Sequence, residues 1–328
     1  MMKLPESCRA QTLFLALAAI APSGVAHAAA TEYPSRPVRL VVPFAAGGGA
    51  DTLSRIIAPK LGDAMGQTWV VDNRGGAAGN LAAEIVANAA PEGHTVFMGF
   101  SSVLTVNPSL YKLRWSVADF QPVSLLAAAQ YILVVNPGVK AGTVKELISL
   151  AKEKAGALNY ASAGVGSPLH LAAELFKKRA GVDMVHLPYK GGGPAAAAVL
   201  AGEAQVIFGS VASSMPQVKA GRLRALATTG AKRSKVAPEL PTLAESGFPG
   251  FEVTSWYAFL VPEKTPGGIV KRLQDEAVKA VGLADVQEAM ARQGLEVVTS
   301  TPQELAQQIR TETAMWADVI KSAGIRAE

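Results

Sequence analysis

Three short stretches of this 328-residue chain set glycine beside hydroxyl or acidic residues directly after an apolar run. The first runs from Phe44 through Ala45, Ala46, Gly47, Gly48, Gly49 and Ala50 to Asp51. The second is "ASAGVGS", Ala161 to Ser167, and the third is "GSVASS", Gly209 to Ser214. A glycine loop that opens a helix offers unpaired backbone N–H groups and the positive end of the helix dipole, a combination that attracts anions. In the second loop Ser162 and Ser167 add hydroxyl donors, while Ala163, Gly164 and Gly166 leave the backbone accessible. One helix end contributes ~0.3–1 kcal/mol to an exposed anion and ~2 kcal/mol when partly buried, whereas micromolar binding requires roughly 8 kcal/mol. An anion held this way must therefore be enclosed, desolvated and met by several direct or water-bridged hydrogen bonds. Each loop taken alone also serves as an ordinary tight turn between a strand and a helix.

Other chemistries find little support. The first loop lacks the Lys-Ser or Lys-Thr of a phosphate-binding P-loop, and Asp51 would repel a phosphate. It does not match G-x-G-x-x-G either, so no dinucleotide is expected. Beyond the first 28 residues there is no cysteine, which removes thiol nucleophiles, disulfides and cysteine-ligated metals together. The histidines there are His94, His170 and His186. Ser167 and His170 form the one hydroxyl–imidazole pairing at short spacing, but G-x-S-x-G is absent and no acid is placed to orient the ring. No catalytic residue, metal or cofactor is expected. The formal charge of +5 falls by one when Lys3, Arg9 and Glu6 are set aside, too small a bias to suggest nucleic acid.

The first 28 residues read as a secretory leader: Lys3 and Arg9 flank the start, "AQTLFLALAAIAP" is the apolar core, and Ala26-His27-Ala28 supplies the cleavage pattern. Export to a bacterial periplasm follows. After it, apolar strands alternate with amphipathic helices. "VRLVVPF", "TWVVDN" and "HTVFMGF" read as strands, with helices after Asp51, which is expected to be the N-cap, and over "GNLAAEIVANAA". Pro59 should kink the first helix near Arg55. "YILVVNPG", "LNYAS", "VDMVHLPY", "AQVIFGS" and "LRALATT" continue the strands, and "TSWYAFLVP" returns to the first part of the fold, with Trp256 and Tyr257 read as a core and surface pair. Two amphipathic helices close the chain, the second capped by Thr301. This alternation implies parallel sheets flanked by helices, an α/β class. The length suggests two lobes: 29–129 with 251–328, and 130–250.

With those stretches in order, the sequence resembles the Bug family, periplasmic solute-binding receptors of tripartite tricarboxylate transporters. "YPSRPVRLVVPFAAGGGADTLSR", "VVDNRGGAAGN", "NYASAGVGSPLHLAAELF", "VHLPYKGGGPAAAAVLAGEAQVIF", "VKAGRLRALATTGAKRS" and "PTLAESGFPGFEVTSWYAFLVP" carry the resemblance, which spans the chain beyond the leader. It implies a two-lobed, type II-like periplasmic binding protein fold, each lobe a mostly parallel sheet flanked by helices, that closes on a small carboxylate in the interlobe cleft. It also implies delivery to membrane permease subunits by a receptor that is a monomer. The contacts it maps are Phe44 to Asp51, Ser101 and Ser102, Ser162 to Ser167, and the loop beginning Gly209-Ser210. Three positions depart from the family pattern: Ala46 where proline is common, Gly209-Ser210 where an Asp is common, and Ala258 where a glycine follows the aromatic pair. A solute-sensing subunit for a membrane kinase, or a hydrolase built on Ser167 and His170, are the alternatives. Among the glycines, Gly48 is the one at which valine should block backbone approach.

Overall fold

In the computed structural model, residues 33–153, 155–189 and 191–326 are described, and the expected leader lies outside them. β1 (Val38–Val42) leads through the glycine loop into α1 (Gly49–Met65), followed by β2 (Trp69–Asn73), α2 (Asn80–Ala87), β3 (Thr95–Phe100) and the short α3 (Ser101–Thr105) and α4 (Asn107–Leu110). Next come β4 (Phe120–Val135), α5 (Val144–Glu153), β5 (Asn159–Ser162), α6 (Pro168–Ala180), β6 (Val185–Pro188), α7 (Gly192–Ala201), β7 (Val206–Ser210), α8 (Val211–Lys219) and β8 (Arg224–Thr228). The chain then forms β9 (Thr254–Pro262), α9 (Gly267–Gly282), α10 (Ala284–Arg292), β10 (Glu296–Val297) and α11 (Pro302–Ala323).

The strands lie in the order β2-β1-β3-β9-β4-β7-β5-β6, with β8 and β10 also paired to β4. Pairing is parallel within β1, β2 and β3 and within β5, β6 and β7. It is antiparallel wherever β4 and β9 take part. The 16-residue β4 is long enough, ~50 Å at 3.3 Å per residue, to serve both halves. Its first part, Phe120 to Gln130, pairs with β9, and Tyr131 to Val135 pair with β7. The changeover at Gln130-Tyr131 is where the sheet passes from one half to the other.

Period-two alternation explains the cores of the first half. Val38, Leu40, Val42, Val96 and Met98 belong to one apolar cluster, whereas Val41 and Phe97 belong to the cluster on the opposite face. The second half has its own core, built on Ile132 to Val135, Tyr160, Phe176 and Val206 to Phe208. α11 spans the two: Leu305 and Ile309 pack in the first half, while Trp316, Val319 and Ile320 pack in the second. Its start is fixed by a capping box, in which Thr301 Oγ1 accepts from Glu304 N (3.1 Å) and Glu304 Oε2 accepts from Thr301 N (2.8 Å). Thr301→Ala is expected to lower stability by about 1 kcal/mol, read as a midpoint shift in urea unfolding.

Some expectations need correction. Gly48, not Asp51, is the N-cap of α1; Asp51 sits in the first turn with its carboxylate folded back onto Gly47 N. "GSVASS" is not a loop: Gly209 and Ser210 finish β7, and α8 starts at Val211 with Ser210 as N-cap. α10 adds a helix between the two expected at the end of the chain.

Candidate functional site

The glycine loop after β1 is held from below by a polar network. Asp51 Oδ2 accepts from Gly47 N at 2.8 Å, Arg55 Nε pairs with the same carboxylate at 3.0 Å, and Asn73 Nδ2 donates to Phe44 O at 3.0 Å. Burial of Asp51 acts to raise its pKa, but Arg55, Gly47 N–H and Asn73 outweigh it and hold the carboxyl below its ordinary value. Asp51 is therefore a charged anchor of the loop and leaves Gly48, Gly49 and Ala50 N–H as the open end of α1. The first intrahelical bond is Thr52 N to Gly48 O at 2.9 Å, so these earlier amides have no helical acceptor.

That end opens onto a cavity of about 290 Å³ between the two halves of the sheet. Gly47, Gly49 and Thr52 form one side; Ser210 and Val211, at the start of α8, form another. Two helix N-termini, of 17 and 9 residues, thus border the same space. The floor comes from Ala129, Gln130 and Tyr131 of β4 and from Ser255 and Tyr257 of β9, and the rim from Phe100 and the turn Gln293 to Leu295. Phe44, Phe100 and Tyr257 make a run of packed rings, with centroids 5.3 and 5.2 Å apart. No Lys, Arg, Asp or Glu lines the cavity among the described residues.

The floor supplies neutral donors. Burial pushes Tyr257 up to about 12 and Tyr131 higher still, so both phenols keep their protons at neutral pH. Tyr131 Oη shares a hydrogen bond with Ser255 Oγ. Tyr257 Oη makes no hydrogen bond to another described residue and lies against Gly49, where an added Cβ would come within 2.5 Å of it. The phenol therefore sits beside the start of α1 on the same cavity, and donors so close together suit an anionic oxygen. A larger groove of about 780 Å³ between α1 and β2 differs in carrying charged side chains, Arg55 and Asp63. It is lined by Gly62, Asp63 and Gly66 at the C-terminal, negative end of α1.

Of the residues singled out from the sequence, Gly47, Gly49 and Ser210 line the cavity; Ala45, Gly48 and Ala50 flank it in the loop. Ser101 and Ser102 follow Phe100 as the start of α3, and Gly209 is buried in β7, where a side chain would meet Ser214 Oγ. The loop Ala163 to Ser167 lies against α4 instead: a Cβ on Gly166 would come 2.7 Å from Leu110 Cδ1. The Ser167–His170 pairing on which the hydrolase alternative depended is not between side chains. Ser167 Oγ caps α6 by accepting from His170 N (3.3 Å), whereas the imidazole that meets a hydroxyl is His186, with Nε2 2.6 Å from Ser162 Oγ. The sequence reading missed Tyr131, Ser255 and the Gln293 to Leu295 turn, and it weighed Tyr257 against a ligand but set it down as one of a core and surface pair. Ser255 and Tyr257 are two apart on a strand and share a face, a period-two signal hidden by pairing Tyr257 with Trp256.

Residues 53–325 match the tripartite tricarboxylate transporter family receptor, TctC. The chain belongs to this receptor family. Among solved receptors, Rpa4515 of R. palustris, in a structure with adipate, is 36% identical with a TM-score of 0.76, over 90% of this chain and 99% of that one. MatC of Rhodopseudomonas palustris, with bound malate, is 32% identical with a TM-score of 0.72, over 88% of this chain and all of that one. The periplasmic binding protein BugD is 32% identical with a TM-score of 0.70, over 90% and 100% of the two chains. The fold is thus the α/β periplasmic binding protein fold. Proteins of this receptor family bind and hand over a solute without transforming it, in keeping with a cavity of neutral donors. One departure from the family pattern is resolved by the structure: Ala258 sits on the face opposite Tyr257, fully buried in the cluster with Phe97 and Leu260, and does not narrow the cavity.

Proposed function

We propose that this receptor captures a small organic carboxylate in the cavity between Gly49, Ser210 and Tyr257 and hands it to the membrane permease of a tripartite transporter. The observation that carries the reading is that two helix N-termini and the Tyr257 phenol border one cavity, lined by no ionised side chain among the described residues. The adipate and malate seen in related receptors support a ligand of four to six carbons. In this reading the protein is a periplasmic monomer, exported by its first 28 residues, with lobes 29–129 plus 251–328 and 130–250. The lobes close about the strands β4 and β9 that join them.

A thermal-shift series tests it, with adipate and malate as probes and adipamide as the uncharged control. A carboxylate at 100 times its dissociation constant adds about 2.7 kcal/mol, a rise of roughly 4 °C in a chain of this size. Adipamide should leave the midpoint unchanged. Equal stabilisation by adipamide, or none by any small carboxylate, would remove the basis for the proposal.

A further inference from the structure

We propose that His170 is a positioning residue: through Gly166 it fixes the shape in which the loop Ala163 to Ser167 meets a ligand. The inference rests on the proposed function and adds to it that closure of the lobes brings this loop, which lies against α4 and does not line the cavity, onto the carboxylate.

The loop turns three of its amides inward. Gly164 N donates to Ser162 Oγ (3.1 Å), Ser167 N to Gly164 O (3.2 Å), and Gly166 N to His170 Nδ1 (3.0 Å). The alternate amides, Ala163 and Val165 N–H, find no acceptor among the described residues, and the Ser167 hydroxyl proton is likewise uncommitted. The ring of His170 therefore decides which donors remain for a guest. Gly166 has φ of +73° and abuts Leu110, so the loop cannot relax toward the first lobe without losing this arrangement.

An N–H can bond Nδ1 only through its lone pair, so His170 must be neutral, with its proton on Nε2. The surroundings enforce that state. His186 of β6 stacks face to face on His170, with centroids 4.0 Å apart and planes 6° apart, and Tyr160 of β5 stacks on His186 at 4.9 Å. Glu174 and Lys177 of α6 complete the charged groups facing the rings, with Asp183 beyond Lys177. Glu174 Oε1 is occupied by Tyr160 Oη (2.5 Å) and Lys177 Nζ (2.9 Å), which compensates its charge. Burial, then His186 and Lys177, bring His170 down to about 4 against the pull of Glu174. Burial, with Lys177 adding to it, also holds His186 below its ordinary value against the pull of Glu174. If its Nε2 donates to Ser162 Oγ, that hydroxyl can donate to Gly164 O (3.1 Å) while accepting from Gly164 N. Because the folded ring titrates below the free value, the Gly166 bond is intact above pH 6.5 and is lost as the pH falls toward 4.

The test combines amide hydrogen exchange on the full-length receptor with calorimetric titration of adipate. In the wild type, Gly166 N–H should be protected at pH 7 and lose protection between pH 6 and 4. His170→Asn, whose Oδ1 takes the place of Nδ1, should keep Gly166 protected at both pH values and bind adipate as the wild type does. His170→Gln, whose amide reaches instead toward the Nε2 position, and His170→Leu should expose Gly166 and weaken adipate roughly five- to tenfold at pH 7, the effect of one lost hydrogen bond. An unprotected Gly166 in the wild type, or Asn and Gln behaving alike, would overturn the inference; the wild-type profile requires no variant to fold. Adipate binding that is equal in all four proteins would also overturn it while leaving the receptor reading intact. If adipate fails to bind the wild type but Gly166 follows the expected pattern, the choice of ligand fails and the role of His170 in shaping the loop stands.

Discussion

Gly49→Val is expected to reduce carboxylate affinity more than 100-fold, about 2.7 kcal/mol, while the protein still folds. Gly49 is the first residue of α1 and is exposed, so the substitution strains no core packing. A Cβ there would come within 2.5 Å of Tyr257 Oη, and the two methyls of valine would occupy the space in front of the helix end. Tyr257 cannot swing away freely, because its ring is packed on Phe100 and the residue is buried. Both donors of the converging pair are lost together. The neighbouring position behaves differently. A Cβ on Gly48 meets only Ala45 O at 3.6 Å, an ordinary contact, so Gly48→Ala should change affinity less than about threefold. The sequence reading placed the sensitive glycine at 48; the phenol from β9, which composition does not reveal, moves it to 49. Isothermal titration of both variants, with circular dichroism to verify folding, separates the two outcomes.

The second large effect concerns Glu312 on α11. Trp256 Nε1 donates to both of its carboxylate oxygens at 2.9 Å, and Gln308 Nε2 donates to Oε1 at 2.8 Å. Burial pushes Glu312 up to about 7, with Glu252 adding to the rise and the hydrogen bonds from Gln308 and Trp256 opposing it. The folded state therefore holds a proton between pH 4.5 and 7 that the unfolded chain has released. Stability from this group is complete below about pH 4.5 and is lost as the pH rises through 7. Glu312→Gln keeps an acceptor for Trp256 and never ionises. At pH 8 it should be more stable than the wild type by about 1–3 kcal/mol, or roughly 2–5 °C, and the gap should shrink toward pH 5. His170 has the opposite slope, so the difference between variant and wild type is the informative quantity. A gap that stays constant from pH 5 to 8 would contradict the buried, titrating carboxyl.

Much of the fold was legible because its signals are local. The run "VRLVVPF" next to three glycines identified β1 and the loop into α1, and Thr301 marked the start of α11. What escaped depends on contacts distant in sequence. Asp51 looked like a cap because aspartate is a good one, yet its carboxylate is engaged by Arg55 and Gly47, and the helix begins two residues earlier. Ser162 and His186 are 24 residues apart and meet only because β5 and β6 are parallel neighbours in register, Tyr160 opposite His186. The floor of the cavity comes from β4 and β9, whose antiparallel pairing brings Ala129 opposite Ser255. The Gln293 to Leu295 turn reaches the rim because β10 pairs with β4. None of these has a motif in the chain.

The central claim is that the start of α1 and the Tyr257 hydroxyl jointly hold a carboxylate. Its most direct measurement is a crystal structure with the carboxylate that gives the largest thermal shift. The account predicts a carboxylate oxygen about 3 Å from an amide of Gly49 or Ala50, with Tyr257 Oη on the same group and the start of α8 on the far side. A ligand found in the groove beside Asp63 and Trp69, or one whose carboxylate faces away from α1, would contradict it.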